Sequence, residues 1–148
     1  MDIFIFTDID GVLNTNYKDE WNKPSIELYN RLCIEYNLKP VITSMWRISH
    51  TITELQEVFN KYGIVKPIYD YTPVFTGEGR GAEIEDWLRN NSYDGFIILD
   101  DNVRDIEEVG LPNIIKCRSW VGFSQEDYDK ARGILLKLID NINDNERK

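Results

Sequence analysis

Apolar and polar positions along the chain follow two rhythms, short unbroken apolar runs and longer stripes at helical spacing. The first run, Asp2-Ile3-Phe4-Ile5-Phe6-Thr7, is β-branched and aromatic with no polar break in its middle. A strand covered on both faces has this pattern, so the run predicts a central parallel strand. Pro24 to Tyr36 carries Ile26, Leu28, Tyr29, Leu32, Cys33 and Tyr36 at helical spacing, with Pro24-Ser25 as a start signal. Pro40 to Ser44 predicts a second strand. Thr51 to Tyr62 predicts a second helix, striped by Ile52, Leu55, Val58 and Phe59 and stopped by Gly63. Ile64 to Tyr71 predicts a third strand, which Pro67 assigns to a position near the sheet edge. After a loop over Thr72 to Gly79 come a third helix (Gly81 to Asn90), a fourth strand (Gly95 to Leu99), a short helix (Val103 to Val109) and a fifth strand (Ile114 to Cys117). Ser124-Gln125-Glu126-Asp127 is a capping signature that opens the last helix. The polar segment after Asp140 is expected to fray.

Regular alternation of strand and helix predicts an α/β three-layer sandwich, an open five-stranded parallel sheet with helices on both faces and right-handed crossovers. The 148 residues suit one domain, residues 1–140, with a polar C-terminal tail at 141–148. A domain of this size buries roughly 70% of the surface its unfolded chain exposes, so it needs no disulfide or structural metal. Cys33 and Cys117 lie 84 positions apart and form no C-x-x-C pair, and we expect buried, reduced thiols. With no apolar stretch of membrane length and no signal-peptide pattern, we expect a soluble, cytoplasmic protein. The net charge of −9 argues against broad electrostatic attraction to nucleic acid or anionic membranes, but leaves a nucleic-acid end open as a substrate. One histidine, His50, excludes a histidine triad and a multi-histidine zinc site. Carboxylates must carry whatever chemistry there is.

In an open parallel sheet, ligands bind outside the carboxyl ends of the strands. After the first strand comes Asp8-Ile9-Asp10-Gly11, whose two carboxylates point to the same side of an extended chain. After the second come the hydroxyls of Thr43 and Ser44. After the fourth come Asp100 and Asp101, with Asp105 one helical turn on. Three or more carboxylates crowded at one sheet edge repel one another unless a hard cation lies between them, and an oxygen-only donor set suits Mg²⁺ coupled to a substrate phosphate.

These residues fall into a familiar order. Asp8-Ile9-Asp10-Gly11-Val12-Leu13 after an apolar strand resembles the first motif of the haloacid dehalogenase (HAD) superfamily of phosphoryl-transfer enzymes. Val41-Ile42-Thr43 resembles its second, with Ser44 as a register alternative. Arg80, opening the helix before the fourth strand, resembles its third, and Phe96 to Asp101 its acidic fourth. More narrowly, D-G-V-L-N, Trp46-Arg47 and Arg80-Gly81-x-Glu83-Ile84-x-x-Trp87-Leu88 are similar to the small HAD domains of RNA-repair proteins, with Met45 as an extra residue before the Trp-Arg pair. The resemblance runs from Ile3 to about Leu138 and implies a Rossmannoid, HAD-like fold.

The resemblance also implies roles. Asp8 is the expected nucleophile, forming an aspartyl-phosphate, and Asp10 the acid and base. Mg²⁺ is expected at Asp8, the backbone carbonyl of Asp10, Asp101 and Asp100. Thr43 and Arg80 would hold and stabilise the phosphate, with Gly11, Ser44 and Arg47 as further substrate-binding residues. Only 32 residues separate Asp10 from Thr43, and 36 separate Thr43 from Arg80. No cap domain fits either interval, so an open site is expected, which the resemblance associates with bulky substrates such as polynucleotide ends or phosphoproteins; a polynucleotide end or nucleotide is the expected substrate. The loop Asn14 to Lys23 is the one partial lid, with Tyr17 and Trp21 able to stack on a base.

Plainer readings stand beside these. Asp101 and Asp105 also fit as caps of the helix near Val103. Arg47 and Arg80 also fit as surface charges, and Trp46, Trp87 and Trp120 as packing residues. Gly77-x-Gly79-x-x-Ala82 matches the dinucleotide fingerprint, but it follows a loop instead of a first strand and would set Glu78 against a pyrophosphate. The expected activity is a Mg²⁺-dependent phosphomonoesterase. The alternative is a catalytically idle HAD-like domain that binds phosphorylated RNA or a protein partner. Oligomeric state is not legible in the sequence.

Overall fold

The computed structural model describes residues 1–15 and 20–147. Its elements are β1 (Ile3–Thr7), β2 (Asn14–Thr15), β3 (Glu20–Trp21), α1 (Lys23–Glu35), β4 (Lys39–Ile42), α2 (Trp46–Ser49), α3 (Ile52–Lys61), β5 (Asp70–Tyr71), α4 (Arg80–Asn90), β6 (Gly95–Asp100), α5 (Arg104–Glu108), β7 (Ile114–Lys116) and α6 (Gln125–Glu146). Five strands form one parallel sheet in the order β5-β4-β1-β6-β7, with β1 at its centre as its pattern predicts.

Alternation along β1 divides the core between the two faces. Ile3 and Ile5 pack with Tyr29 and Leu32 of α1, Leu55 and Phe59 of α3, and Ala131 and Leu135 of α6. Phe4 and Phe6 pack on the opposite face with Ile84 and Trp87 of α4 and Ile106 of α5. Both phenylalanines meet the Trp87 ring edge-on, at 4.8 and 5.3 Å between centroids. Full burial of each such side chain contributes about 1.5–3 kcal/mol, so a strand apolar on both faces belongs in the middle layer.

Register then places the chemistry. Thr7 lies beside Ile42 of β4 and Leu99 of β6, so three strands end level. The ladder continues one step further, with the Asp8 N–H donating to the Leu99 carbonyl (3.1 Å) and the Thr43 N–H to the Thr7 carbonyl (3.1 Å). Continuing the alternation from Phe6, Val41 and Ile98 puts Asp8, Thr43 and Asp100 on the face that α4 covers.

Several elements differ from expectation. The third strand shrinks to Asp70–Tyr71, pairing with Val41 and Ile42 at the edge. Ile64 and Ile68 are apolar because they enter the core, not because they join the ladder. Helix α6 continues past Asp140 to Glu146, where Ile142 still packs against the core. The short α2 and the antiparallel β2–β3 ribbon have no apolar period that could announce them. Cys33 and Cys117 are free and buried. Among the described residues, no helix is long and apolar enough to cross a membrane, and neither interval flanking Thr43 contains a cap domain.

Helices α4 and α5 approach closely at Gly81, where a Cβ would lie 2.7 Å from both the Asp105 carbonyl and a Val109 methyl. Neither backbone nor packed methyl can yield cheaply. Gly81→Ala is expected to cost about 1–3 kcal/mol and lower Tm by about 3–10 °C, measured by thermal denaturation. An unchanged Tm would show that the two helices are not held at this separation.

Candidate active site

The chain turns sharply as it leaves β1. The N–H groups of Val12 and Leu13 donate to the Ile9 carbonyl at 3.1 and 2.9 Å, and Gly11 adopts φ +82°. A Cβ at Gly11 would collide with the Asp101 carboxylate, so glycine is needed both for the turn and for the acidic loop to close against it. Asn14 secures the turn, its Oδ1 accepting from the Gly11 N–H (3.2 Å) and its Nδ2 donating to Asp10 Oδ1 (2.9 Å).

Helix α4 delivers the counter-charge. Arg80, its first residue, sits over the face where Asp8 and Asp100 emerge, with Nη1 3.2 Å from Asp8 Oδ2 and 2.7 Å from Asp100 Oδ2. Asp8 Oδ1 accepts from the Ile9 N–H (2.9 Å), and Asp100 Oδ1 from the Asn102 N–H (3.0 Å). Asp105 Oδ2 accepts from the Gly81 N–H at 2.9 Å, so Asp105 caps α4 instead of its own helix.

Asp8, Asp100 and Asp101 each offer an oxygen, all within 4.8 Å of one another. Burial pushes the Asp8 carboxyl up to about 8; Asp100 and Asp101 add to the rise, while Arg80 and the Ile9 N–H oppose it. Asp101 is raised as well, chiefly by burial. Burial disfavours charge on Arg80, but Asp8 and Asp100 outweigh it and hold the guanidinium firmly protonated. With all three carboxylates ionised against one guanidinium, two negative charges would remain, which a divalent cation would balance. An oxygen-only donor set of this charge has the chemistry that suits Mg²⁺.

These groups open into a cleft of about 930 Å³, lined by Asp8, Asp10, Ser44, Arg80 and Asp101 together with Met45, Ile48 and Val74. Ser44 faces the cleft, and its Oγ accepts from the Trp46 N–H (3.2 Å). Thr43 Oγ1 is buried with no hydrogen-bond partner. Asp10 lines the cleft, but its carboxylate stands apart from the three-oxygen cluster.

The five N–H donors of Arg47 are all engaged within the protein. Nε donates to the Thr72 carbonyl (3.1 Å), and Nη1 to those of Thr43 (2.6 Å) and Ser44 (2.9 Å). Nη2 donates to the Pro73 carbonyl (3.0 Å) and lies 2.9 Å from Glu83 Oε1. Glu83 Oε2 in turn accepts from the Phe75 N–H (2.9 Å). Arg47 thus bolts the strand-end loop at Thr43–Ser44 to the cleft wall at Thr72–Phe75. Trp21 has Tyr62 parallel to it at 4.7 Å (11°), and Phe59 and Trp46 meet it edge-on. Tyr17 lies outside the described residues.

A level parallel sheet, an acidic cluster at its carboxyl edge and a cation from the preceding helix define a HAD-like Rossmannoid domain without a cap. The chain belongs, more specifically, to the family described as the HAD domain in Swiss Army Knife RNA repair proteins, which it matches over residues 4–128. That span contains all four motifs. A search among curated proteins finds no match to the chain.

Two predictions follow from the electrostatics and from the orphaned hydroxyl. In metal-free protein the folded state keeps a proton on Asp8 that the unfolded chain, with its ordinary value of 3.8, has released. Stability linked to this carboxyl is therefore full below about pH 4 and lost as the pH rises through about 8. Asp8→Asn is expected to raise the metal-free Tm by about 5 °C at pH 8.5 and to converge on wild type near pH 4, read by pH-dependent thermal melts. Parallel curves would contradict this account. Thr43→Val removes a buried hydroxyl that has no partner, and should stabilise the ligand-free protein by about 1 kcal/mol, measured by urea denaturation.

Proposed function

We propose that the protein is a Mg²⁺-dependent phosphomonoesterase that removes a terminal phosphate from a nucleic-acid or nucleotide substrate. The observation that carries this reading is the Asp8–Arg80–Asp100 bridge at level strand ends, with Asp101 completing a three-oxygen cluster. Bound at these carboxylates, Mg²⁺ would supply the charge neutralisation that lets an anionic nucleophile meet an anionic phosphate.

The residues then divide the work. A carboxylate oxygen of Asp8 attacks phosphorus, forming an Asp8–phosphate bond as the ester bond to the leaving oxygen breaks. Asp10 gives that oxygen its proton. Water next attacks the same phosphorus and passes a proton to Asp10, releasing inorganic phosphate and restoring the Asp8 carboxylate. Arg80 stabilises the equatorial oxygens of the phosphoryl group, Ser44 donates from the cleft wall, and Thr43 offers its unpaired hydroxyl from behind. Gly11, whose N–H is held by Asn14, serves by letting the Asp8–Asp10 segment turn into the site.

The substrate class rests on the RNA-repair family and on charge. Arg80 is the only cationic side chain among the described residues lining the cleft. A protein of net charge −9 lacks the attraction that holds a long polyanion, so recognition is confined to a terminal phosphate and its nucleoside. The open cleft, near the top of the roughly 300–1,000 Å³ range of small-molecule sites, leaves room for such an end.

Phosphate release from 3′- and 5′-phosphorylated oligoribonucleotides should require Mg²⁺, cease with chelator, and fall about 10³-fold or more in Asp8→Asn. Binding of these oligonucleotides without release by wild-type protein would instead establish the idle-domain reading.

A further inference from the structure

Trp46, a rim packing residue by its sequence, reaches into the chemistry. Its indole Nε1–H donates to Asp10 Oδ1 at 3.2 Å, the same oxygen that accepts from Asn14 Nδ2 at 2.9 Å. Two neutral donors converging on one carboxylate oxygen occupy its lone pairs and fix the rotation of the group. A proton carried by this carboxyl then sits on Oδ2.

The indole is itself held on several sides. Its backbone N–H is tied to Ser44 Oγ, Trp21 meets it edge-on at 5.5 Å, and the His50 ring stacks on it at 5.2 Å (24°). His50 cannot swing aside freely, because its Nδ1 contacts the Trp46 carbonyl (3.1 Å) and Ser49 Oγ (2.9 Å). Trp21 continues the chain of rings to Tyr62 and to buried Phe59. The orientation of Asp10 is thereby referred to the hydrophobic core through a column of aromatic rings.

We propose that Trp46 is a positioning residue for Asp10, setting which carboxyl oxygen faces the leaving group. This rests on the phosphatase reading above. A residue that only packs would affect all substrates alike, whereas one that aims the acid matters most when the leaving oxygen needs a proton. An alkyl or ribose oxygen needs one; a nitrophenolate leaves without it.

The test uses Trp46→Phe, which keeps a stacking ring and removes the N–H, with Trp46→Tyr as a second ring-retaining variant. With Mg²⁺ present, kcat/KM for a nucleoside monophosphate should fall about tenfold to a hundredfold, and for 4-nitrophenyl phosphate less than about threefold. Independently of activity, the chain has four tryptophans and so four indole N–H signals in a ¹⁵N correlation spectrum. Asp10→Asn should shift the signal that Trp46→Phe deletes and leave that of Trp87, bonded to Asp70, in place. Equal losses on the two esters, or an unmoved Trp46 indole signal, overturn the positioning role. Wild-type protein inactive on both esters is a different result, failing the phosphatase reading and the positioning role with it.

Discussion

Arg80 stands between Asp8 and Asp100 because two independent pieces of geometry agree, and the rest of the site depends on that agreement. Parallel pairing of β1 with β6 brings the two carboxylates out level, on one face of the sheet. Packing of α4 on that same face, through Ile84 and Trp87 against Phe4 and Phe6, fixes where its first residue must lie. A single-residue slip of either strand would turn one carboxylate to the opposite face, against α1 and α6, and strand the guanidinium. The hydrophobic core therefore acts as the ruler for the electrostatics. Gly81 and the Asp105 cap serve the same end, allowing α5 to press on the start of α4 and satisfying a backbone donor there.

How far this could be read from the chain depends on whether a residue's role is local. Asp8, Asp10, Thr43, Asp100 and Asp101 follow apolar runs directly, so the strand pattern carries them to the sheet edge and the structure brings them to one end of the sheet. Arg80 was legible from its place at a helix start. Arg47 was not, because four of its five acceptors are backbone carbonyls, which leave no trace in residue identity. Its best signal was Glu83, an acidic residue buried on a helix that otherwise packs apolar side chains. Trp46 was hidden for a related reason: an indole beside an apolar rim reads as packing until its N–H is seen to reach Asp10. The edge strand is shorter than its apolar run because Ile64 and Ile68 are apolar for the core's sake, a distinction that periodicity cannot make over so few residues.

The site is held in a state that its own groups do not favour. Asp8, Asp100 and Asp101 crowd together with Asp8 shielded from water, and Thr43 buries a hydroxyl without a partner. Each feature costs of the order of a kilocalorie or more in an empty site. Conserving those costs makes sense where a cation and a phosphate relieve them together, since the relief then appears as binding. A two-sided core running the length of β1 supplies the stability against which such strain can be held.

Charge also separates this arrangement from a general nucleic-acid binder. A surface that recognises a strand along its length needs repeated cations, and the walls here offer Met45, Ile48 and Val74 on one side and Asp101, Asn102 and Asp105 on the other. An internal phosphodiester entering this cleft would meet a single cationic side chain, Arg80, among the described lining residues. In the proposed function a terminal phosphate would meet Arg80 and the acidic cluster, with Met45, Ile48 and Val74 as the apolar lining left for its nucleoside. On the phosphatase reading proposed above, preference for an end over an interior would come from where the positive charge is placed, not from a lid.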